Sequence, residues 1–407
     1  MSISAASPPP SRRTLYASYA AGMFSMGQAE LLTMVVPLWA VLQGVSPTQI
    51  GILVGAKSMI TFFLAIHGGA LMDRLGTRRV MLFFAVVSGA LAALYPAMPW
   101  FPLMVMLQML IGFAGNMSWI GAQTIIAQIT HGDPGLIGRF SFFSRIGNVI
   151  APLLMGALWD FAGPTVSFLG VSVWAAMMFV AVSQIDSRQF AGSISGKVGW
   201  RDVLPRLSDY VGSFRLIVLP LVAFTLAISF MRHATNGVEN SFLIVYLRDV
   251  GFAGTIIGAM FSLAEIVNGL ASLAAGRVAR WMPIPWLMLM FTAVSILLLA
   301  ITPLTGGVLA LLALAHCLRR GFEGLVQPLM FSLQAKAVPA NVQGSIVGLR
   351  VTNNRLSSII TPILMGLIVE AFGIQHGFMV MGGILLAVCA ALAVIVARTR
   401  KVWSAEL

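Results

Sequence analysis

Residues 144–163 read SRIGNVIAPLLMGALWDFAG, and residues 354–373 read NRLSSIITPILMGLIVEAFG. At a constant offset of 210, Arg145 falls on Arg355, Pro152 on Pro362, Met155-Gly156 on Met365-Gly366, Asp160 on Glu370 and Gly163 on Gly373. Two shorter matches carry nearly the same offset. Gly44 and Gly51 fall on Gly251 and Gly258 at 207, and Gly112 and Gly115 fall on Gly321 and Gly324 at 209. Three matches at nearly one offset mean two halves of like sequence in parallel orientation. In a membrane transporter such halves are related by a pseudo-two-fold axis along the membrane normal, with the site between them.

Outward from that pair, the chain reads as twelve apolar stretches, each long enough to cross a bilayer, for which about 20 residues suffice. Their spans are expected near 14–43, 48–72, 78–98, 101–130, 138–162, 165–186, 217–247, 253–277, 284–303, 306–334, 343–370 and 376–397. The expected organisation is a tail (1–13), a six-helix bundle (14–186), a linker (187–216), a second six-helix bundle (217–397) and a tail (398–407). Of the 407 residues 58% are hydrophobic and only 9% charged, against about 25% charged in soluble domains. This is an all-α integral membrane composition with essentially no extramembrane domain. Cys317 and Cys389 both lie in apolar stretches, so neither a disulfide framework nor a thiolate metal site is implied. The Ser/Pro-rich start with Arg12 and Arg13 lacks the pattern of a cleaved signal peptide.

The net charge of +12 would suit a nucleic-acid partner, but topology explains it better. Seventeen of the 25 Lys and Arg fall at one set of loops and ends, and only Arg248 falls on the opposite side. The positive-inside rule then puts both termini in the cytoplasm.

Eleven charged residues lie inside the spans: Glu30, Lys57, Arg145, Arg232, Glu239, Glu265, Arg319, Arg320, Glu323, Arg350 and Arg355. Each costs roughly 2.5–3.5 kcal/mol at the bilayer centre if unpaired, on the order of 30 together. They must face one another or a water-filled cavity, whereas spans 3, 6, 9 and 12, which have none, must face lipid. A polar pathway through a helical bundle describes a transporter.

Between spans two and three stands GALMDRLGTRR. It resembles the cytoplasmic signature of the major facilitator superfamily through Gly69, Leu71, Asp73, Arg74, Gly76, Arg78 and Arg79. The resemblance covers essentially the whole chain. It implies two six-helix bundles that rock about a central site, with spans 1, 4, 7 and 10 lining the cavity, and a monomer that suffices. It also implies a gate latch at Gly69, Asp73, Arg74, Gly76, Arg78 and Arg79. A tight turn of positive-inside character is the competing reading, but it leaves Asp73 unexplained. The second-half counterpart AAGRVAR, Ala274 to Arg280, lacks the acid, so the latch would be asymmetric. Two further signatures are partial. Gln108 stands before Gly112 where many proton-coupled members carry Arg. Gly147, Ala151-Pro152 and Gly156 resemble the antiporter signature of span five with its first paired Gly replaced. Span eleven repeats it as Thr361-Pro362 and Gly366, which favours a structural kink with close packing.

Seven basic and four acidic residues leave the interior at +3, which favours an anionic substrate, because Arg offers a planar donor fork to carboxylate or phosphate. Candidate substrate-binding residues are Arg232, Arg319, Arg320, Arg355, Arg145, Lys57, Asn116, Trp119, Gln123 and Asn236. Candidate proton-coupling acids are Glu30, Glu265, Glu239 and Glu323. Glu30 and Glu265 have no basic residue within one helical turn. Glu323 lies at i+3 and i+4 from Arg320 and Arg319, the spacing of a structural ion pair. Arg145 and Arg355, being repeat-related, suit a structural or a substrate role equally.

The expected function is a secondary transporter, proton-coupled, moving a small organic anion across the bacterial inner membrane. A polyspecific drug or metabolite:proton exporter is the alternative, followed by a non-transporting sensor on the same fold. No phosphate-binding loop, metalloprotease motif, nucleophile elbow or metal cluster stands in the sequence, so no ATP-driven pump, enzyme, cofactor or metal is expected.

Overall fold

The computed structural model describes residues 11–130, 134–186, 215–337 and 343–398. All regular structure among them is helical. Helices α1 (Arg12–Leu42), α2 (Pro47–Leu75), α3 (Thr77–Leu94), α4 (Phe101–Thr130) and α5 (Pro134–Ser183) form the first half. The second half holds α6 (Pro220–Val238), which runs through a π-turn (Glu239–Leu243) into α7 (Ile244–Asp249), then α8 (Gly254–Val278), α9 (Ile284–Ala300), α10 (Leu309–Ala337) and α11 (Gln343–Arg398).

Helices α5 and α11 are each two spans joined without a loop. Gly163 (φ +81°) and Gly373 (φ +77°) break the helical dihedrals, and each helix divides there into two legs. Only glycine visits this region at no steric cost. With α6, the π-turn and α7 taken as one rod, the described residues supply six helical legs in each half, and the protein is a multi-pass integral membrane protein. The expected linker at 187–216 lies almost wholly outside the described residues, as do most of both tails.

Local sequence sets the helix ends. Ser46 caps α2 in a reciprocal box with Gln49 (3.3 and 2.9 Å), and Pro47 occupies the first turn where its missing N–H costs nothing. Gly76 (φ +86°) makes the turn from α2 to α3. The spans without internal charge contribute to the lipid face, together with apolar residues of charged spans such as Leu273 on α8 and Leu314 on α10. Phe83 and Val86 on α3, Val173 and Val180 on the second leg of α5, Leu297 on α9, and Ile384 and Ile395 on the second leg of α11 are exposed.

The halves meet along two crossings, α2 with the first leg of α11, and α8 with the first leg of α5. Both are backbone-close. Gly51 sits on the Pro362 carbonyl and Gly258 on the Pro152 carbonyl, and neither has room for a Cβ. Small residues at such crossings let helix backbones touch, which is how packing substitutes for the absent hydrophobic effect in lipid. The two contacts are equivalent under the internal repeat.

Candidate functional site

Ten of the eleven intramembrane charges are buried or half-buried, Arg145 being the exception, and they divide into two groups. The first is a closed network in the second half. Arg319 of α10, 1% exposed, pairs with Glu239 of the π-turn and donates to Glu323 (2.6 Å). Arg320 pairs with Glu265 of α8 and donates to Glu323 (2.9 Å) and to the Asn236 side-chain amide oxygen Oδ1 (3.0 Å). Glu323 also accepts from Thr235 (3.0 Å) and Ser295 (3.5 Å). His316 stands 3.2 Å from Glu239 and packs on the Phe261 ring at 4.8 Å. Arg232 is buried nearby, within electrostatic reach of Glu323 and Arg320, and its Nε has no hydrogen-bond partner among the described residues. Glu239 opens the π-turn, a feature common at functional sites, which rotates the chain that follows it.

Glu265 therefore has a basic partner that the sequence spacing does not show, because Arg320 reaches it from a different helix. Asn236 and Arg320 act as neighbours for the same reason. Arg350 stands apart from this network. Its guanidinium lies over the Phe331 ring (4.1 Å) and donates to Gln334 (3.2 Å).

The second group lines a cavity of about 180 Å³ between the halves. Glu30 and Gln28 of α1, Lys57 of α2, Asn116 and Trp119 of α4, Asn148 of α5 and Arg355 of α11 all reach it. The Lys57 ammonium donates to the Ala29 carbonyl (2.9 Å) and to Thr33 (3.0 Å). Arg355 donates across the interface to Asn116, whose own amide donates to Thr61 (3.1 Å) and Gly112 (2.8 Å). Among the described residues neither Lys57 nor Arg355 has a carboxylate within 4 Å. Gln28 is fully buried, and both polar atoms of its amide lack a hydrogen-bond partner there. An unpaired buried amide is costly unless something fills the cavity beside it.

Beside it lies a smaller cavity of about 100 Å³, lined by Asn236, Glu239, Asn240, Glu265, His316 and Arg320. Glu30 lines both. Five expected site residues fall elsewhere, Arg319 and Glu323 among them, inside the buried network. Gln123 is exposed and lines neither cavity, because seven residues of helix carry it about 10 Å along the axis from Asn116. Arg145 is exposed too, although the charge of Arg320 still acts on it. Arg232 belongs to the buried network. Gln28, Asn148 and His316 escape the sequence reading. Gln28 and Ser25 do interrupt an apolar run at helical spacing, which is the signal that points to them.

At the opposite end of the bundle from the α1–α2 turn, Arg78 donates to the Ser183 (2.7 Å) and Val182 (3.3 Å) carbonyls, tying α3 to the end of α5, and Arg79 is exposed. The surroundings of Gly69, Asp73 and Arg74 lie outside the described residues, and so does the latch assigned to them.

A sequence model of the Major Facilitator Superfamily matches residues 18–362. No curated protein sequence matches the chain significantly. Several solved structures share its fold. The nucleoside transporter NupG superposes with a TM-score of 0.76 at 15% identity, covering 94% of this chain and 98% of its own. A bacterial homologue of the human lysosomal transporter Spinster, inward-facing and unoccupied, gives 0.77 at 13%, covering 95% and 96%. A POT family transporter in complex with 5-aminolevulinic acid gives 0.73 at 15%, covering 96% of each chain. At such identities the likeness is one of fold. The family match spans most of the chain and agrees with the duplicated halves, the glycine-close crossings and the charged interior: the chain is a transporter belonging to the Major Facilitator Superfamily.

Proposed function

We propose that the protein is a proton-coupled transporter of a small organic anion, with the end bearing the α1–α2 turn facing outward and both termini cytoplasmic. One observation carries the substrate class. The network of Arg232, Arg319, Arg320, Glu239, Glu265 and Glu323 carries three charges of each sign, whereas Lys57 and Arg355 face the larger cavity with Glu30 as the one acid among its lining residues and no ion pair to it among the described residues. Part of the excess positive charge of the interior thus sits where a solute fits. An anion between Lys57 and Arg355 supplies the missing counter-charge, and the Gln28 and Asn148 amides with the Trp119 ring orient the rest of it.

Coupling falls to Glu30 and Glu265. Glu30 is the shared wall of the two cavities, and Glu265 is held by a single arginine at the rim of the smaller one. Protonating Glu265 frees Arg320 to turn toward a negative solute. Glu323, which lines neither cavity, and Glu239, paired with Arg319, serve as structural partners. The export reading for cationic drugs would need an acidic excess in the cavities, whereas Glu239 and Glu265 are paired with arginine and Glu30 faces both Lys57 and Arg355.

The test is uptake into proteoliposomes under an imposed pH gradient, with a mixed organic-anion pool and mass-spectrometric readout. Lys57→Gln and Arg355→Gln are each expected to weaken apparent affinity about 10- to 100-fold, the worth of one charge-assisted hydrogen bond. Glu265→Gln is expected to retain anion exchange but lose accumulation driven by the gradient. Movement of cationic or neutral amphiphiles, unaffected by Lys57→Gln, would overturn the substrate class.

A further inference from the structure

The repeat places Asp160 opposite Glu370, each three residues before the positive-φ glycine that ends its leg. Each carboxylate crosses to the other half and lands on a helix N-terminus. Asp160 Oδ1 accepts from the Gly254 N–H (2.9 Å), and Oδ2 accepts from the N–H and hydroxyl of Thr255 (both 2.6 Å). Helix α8 has no cap of its own, because its N-cap residue is Ala253. Asp160 supplies that cap from the first half. Glu370 Oε2 accepts from the Thr48 N–H (3.3 Å) and the Ser46 hydroxyl (3.5 Å) at the start of α2. Thr48 and Thr255 share the offset of 207 that relates Gly51 to Gly258.

We infer that Asp160 and Glu370 are paired clasps of the outer gate, positioning residues that hold the halves together in the state closed to the outside. This rests on the two halves rocking during transport, and on no particular substrate. Opening the outer side must draw the N-termini of α2 and α8 away from the opposite half, so both clasps break together. A carboxylate suits the task. It satisfies orphan N–H groups and meets the positive end of the helix dipole, yet near the membrane surface each bond is weak enough to release. The glycine contacts just inside each clasp bring the backbones close enough for a short side chain to reach. Asp160, with three donors at short range, is the stronger clasp.

Spin labels on Leu42→Cys and Gln375→Cys, with Cys317 and Cys389 replaced by alanine, report the width of the outer end by electron–electron double resonance without any substrate. Asp160→Asn is expected to raise the ratio of wide to narrow distances about two- to fivefold, and Asp160→Asn with Glu370→Gln about tenfold, from the usual worth of charge at a helix terminus. Thr255→Ala, which removes one donor and leaves both carboxylates, is expected to fall between native and Asp160→Asn. An unchanged distance distribution in the folded double variant would overturn the clasp. So would a widening by Thr255→Ala larger than that of Asp160→Asn. Failure of the anion reading would leave these distances unaffected.

Discussion

At the scale of single residues, equal charges have unequal work. Arg319 is enclosed by Glu239 and Glu323, and removing one member of a buried ion network leaves the others unpaired, at a cost of about 3–5 kcal/mol. Arg319→Ala is therefore expected to lower the melting temperature in detergent sharply. Arg145→Ala, at an exposed site, is expected to stay within about 0.5 kcal/mol of native. Equal losses from both would contradict the division into network and free cations. Spacing along α10 makes the Glu323 pairing visible in the sequence, since Arg319 and Arg320 lie one turn away. The pairing of Glu265 with Arg320 is invisible there, because it depends on how α8 and α10 face each other. Gln28 is a similar case: its amide matters because it opens on a cavity that only the assembled helices create.

At the scale of elements, glycine decides how closely the halves meet. A side chain at position 258 would strike the Pro152 carbonyl, which is backbone and cannot yield. Gly258→Val is expected to hold the α5–α8 crossing apart and to widen the outer end in the spin-label measurement, even with both clasps present. A variant with native distances would mean that the crossing tolerates a Cβ and that its closeness is not what shuts the gate. The repeat in the sequence names these glycines in advance, as matched pairs at fixed offsets. That a single positive-φ glycine, Gly163 or Gly373, separates two spans is not evident there, since a loop and one such residue look alike in hydropathy.

At the scale of the whole molecule, the charge bias is the ground for the proposed orientation, and the duplication gives the chain two equivalent interfaces. Orientation has a direct check in intact cells. A membrane-impermeant maleimide is expected to label Leu42→Cys and Gln375→Cys from outside, and Arg12→Cys only after lysis, with the native cysteines removed. The reverse pattern would invert the topology and turn the proposed outer gate into an inner one. Two clasps at one end and a signature with Asp73 in only one half at the other imply unequal gates. The symmetric one responds to both halves alike, and the asymmetric one does not.

The sequence by itself determined the architecture: apolar length sets the number of spans, loop charge biases their direction, and a repeat at nearly constant offset sets the symmetry. These are properties of segments, and bilayer physics acts on segments one at a time. Only the tertiary structure decided which charges cancel and which stand free. Arg320 and Glu265 are 55 positions apart, and Asn116 and Arg355 are 239 apart, so their meeting depends on the angle and depth at which whole helices pack. Coulombic and hydrogen-bond energies change steeply over a few ångströms, and no pattern along a single helix fixes distances on that scale between two of them.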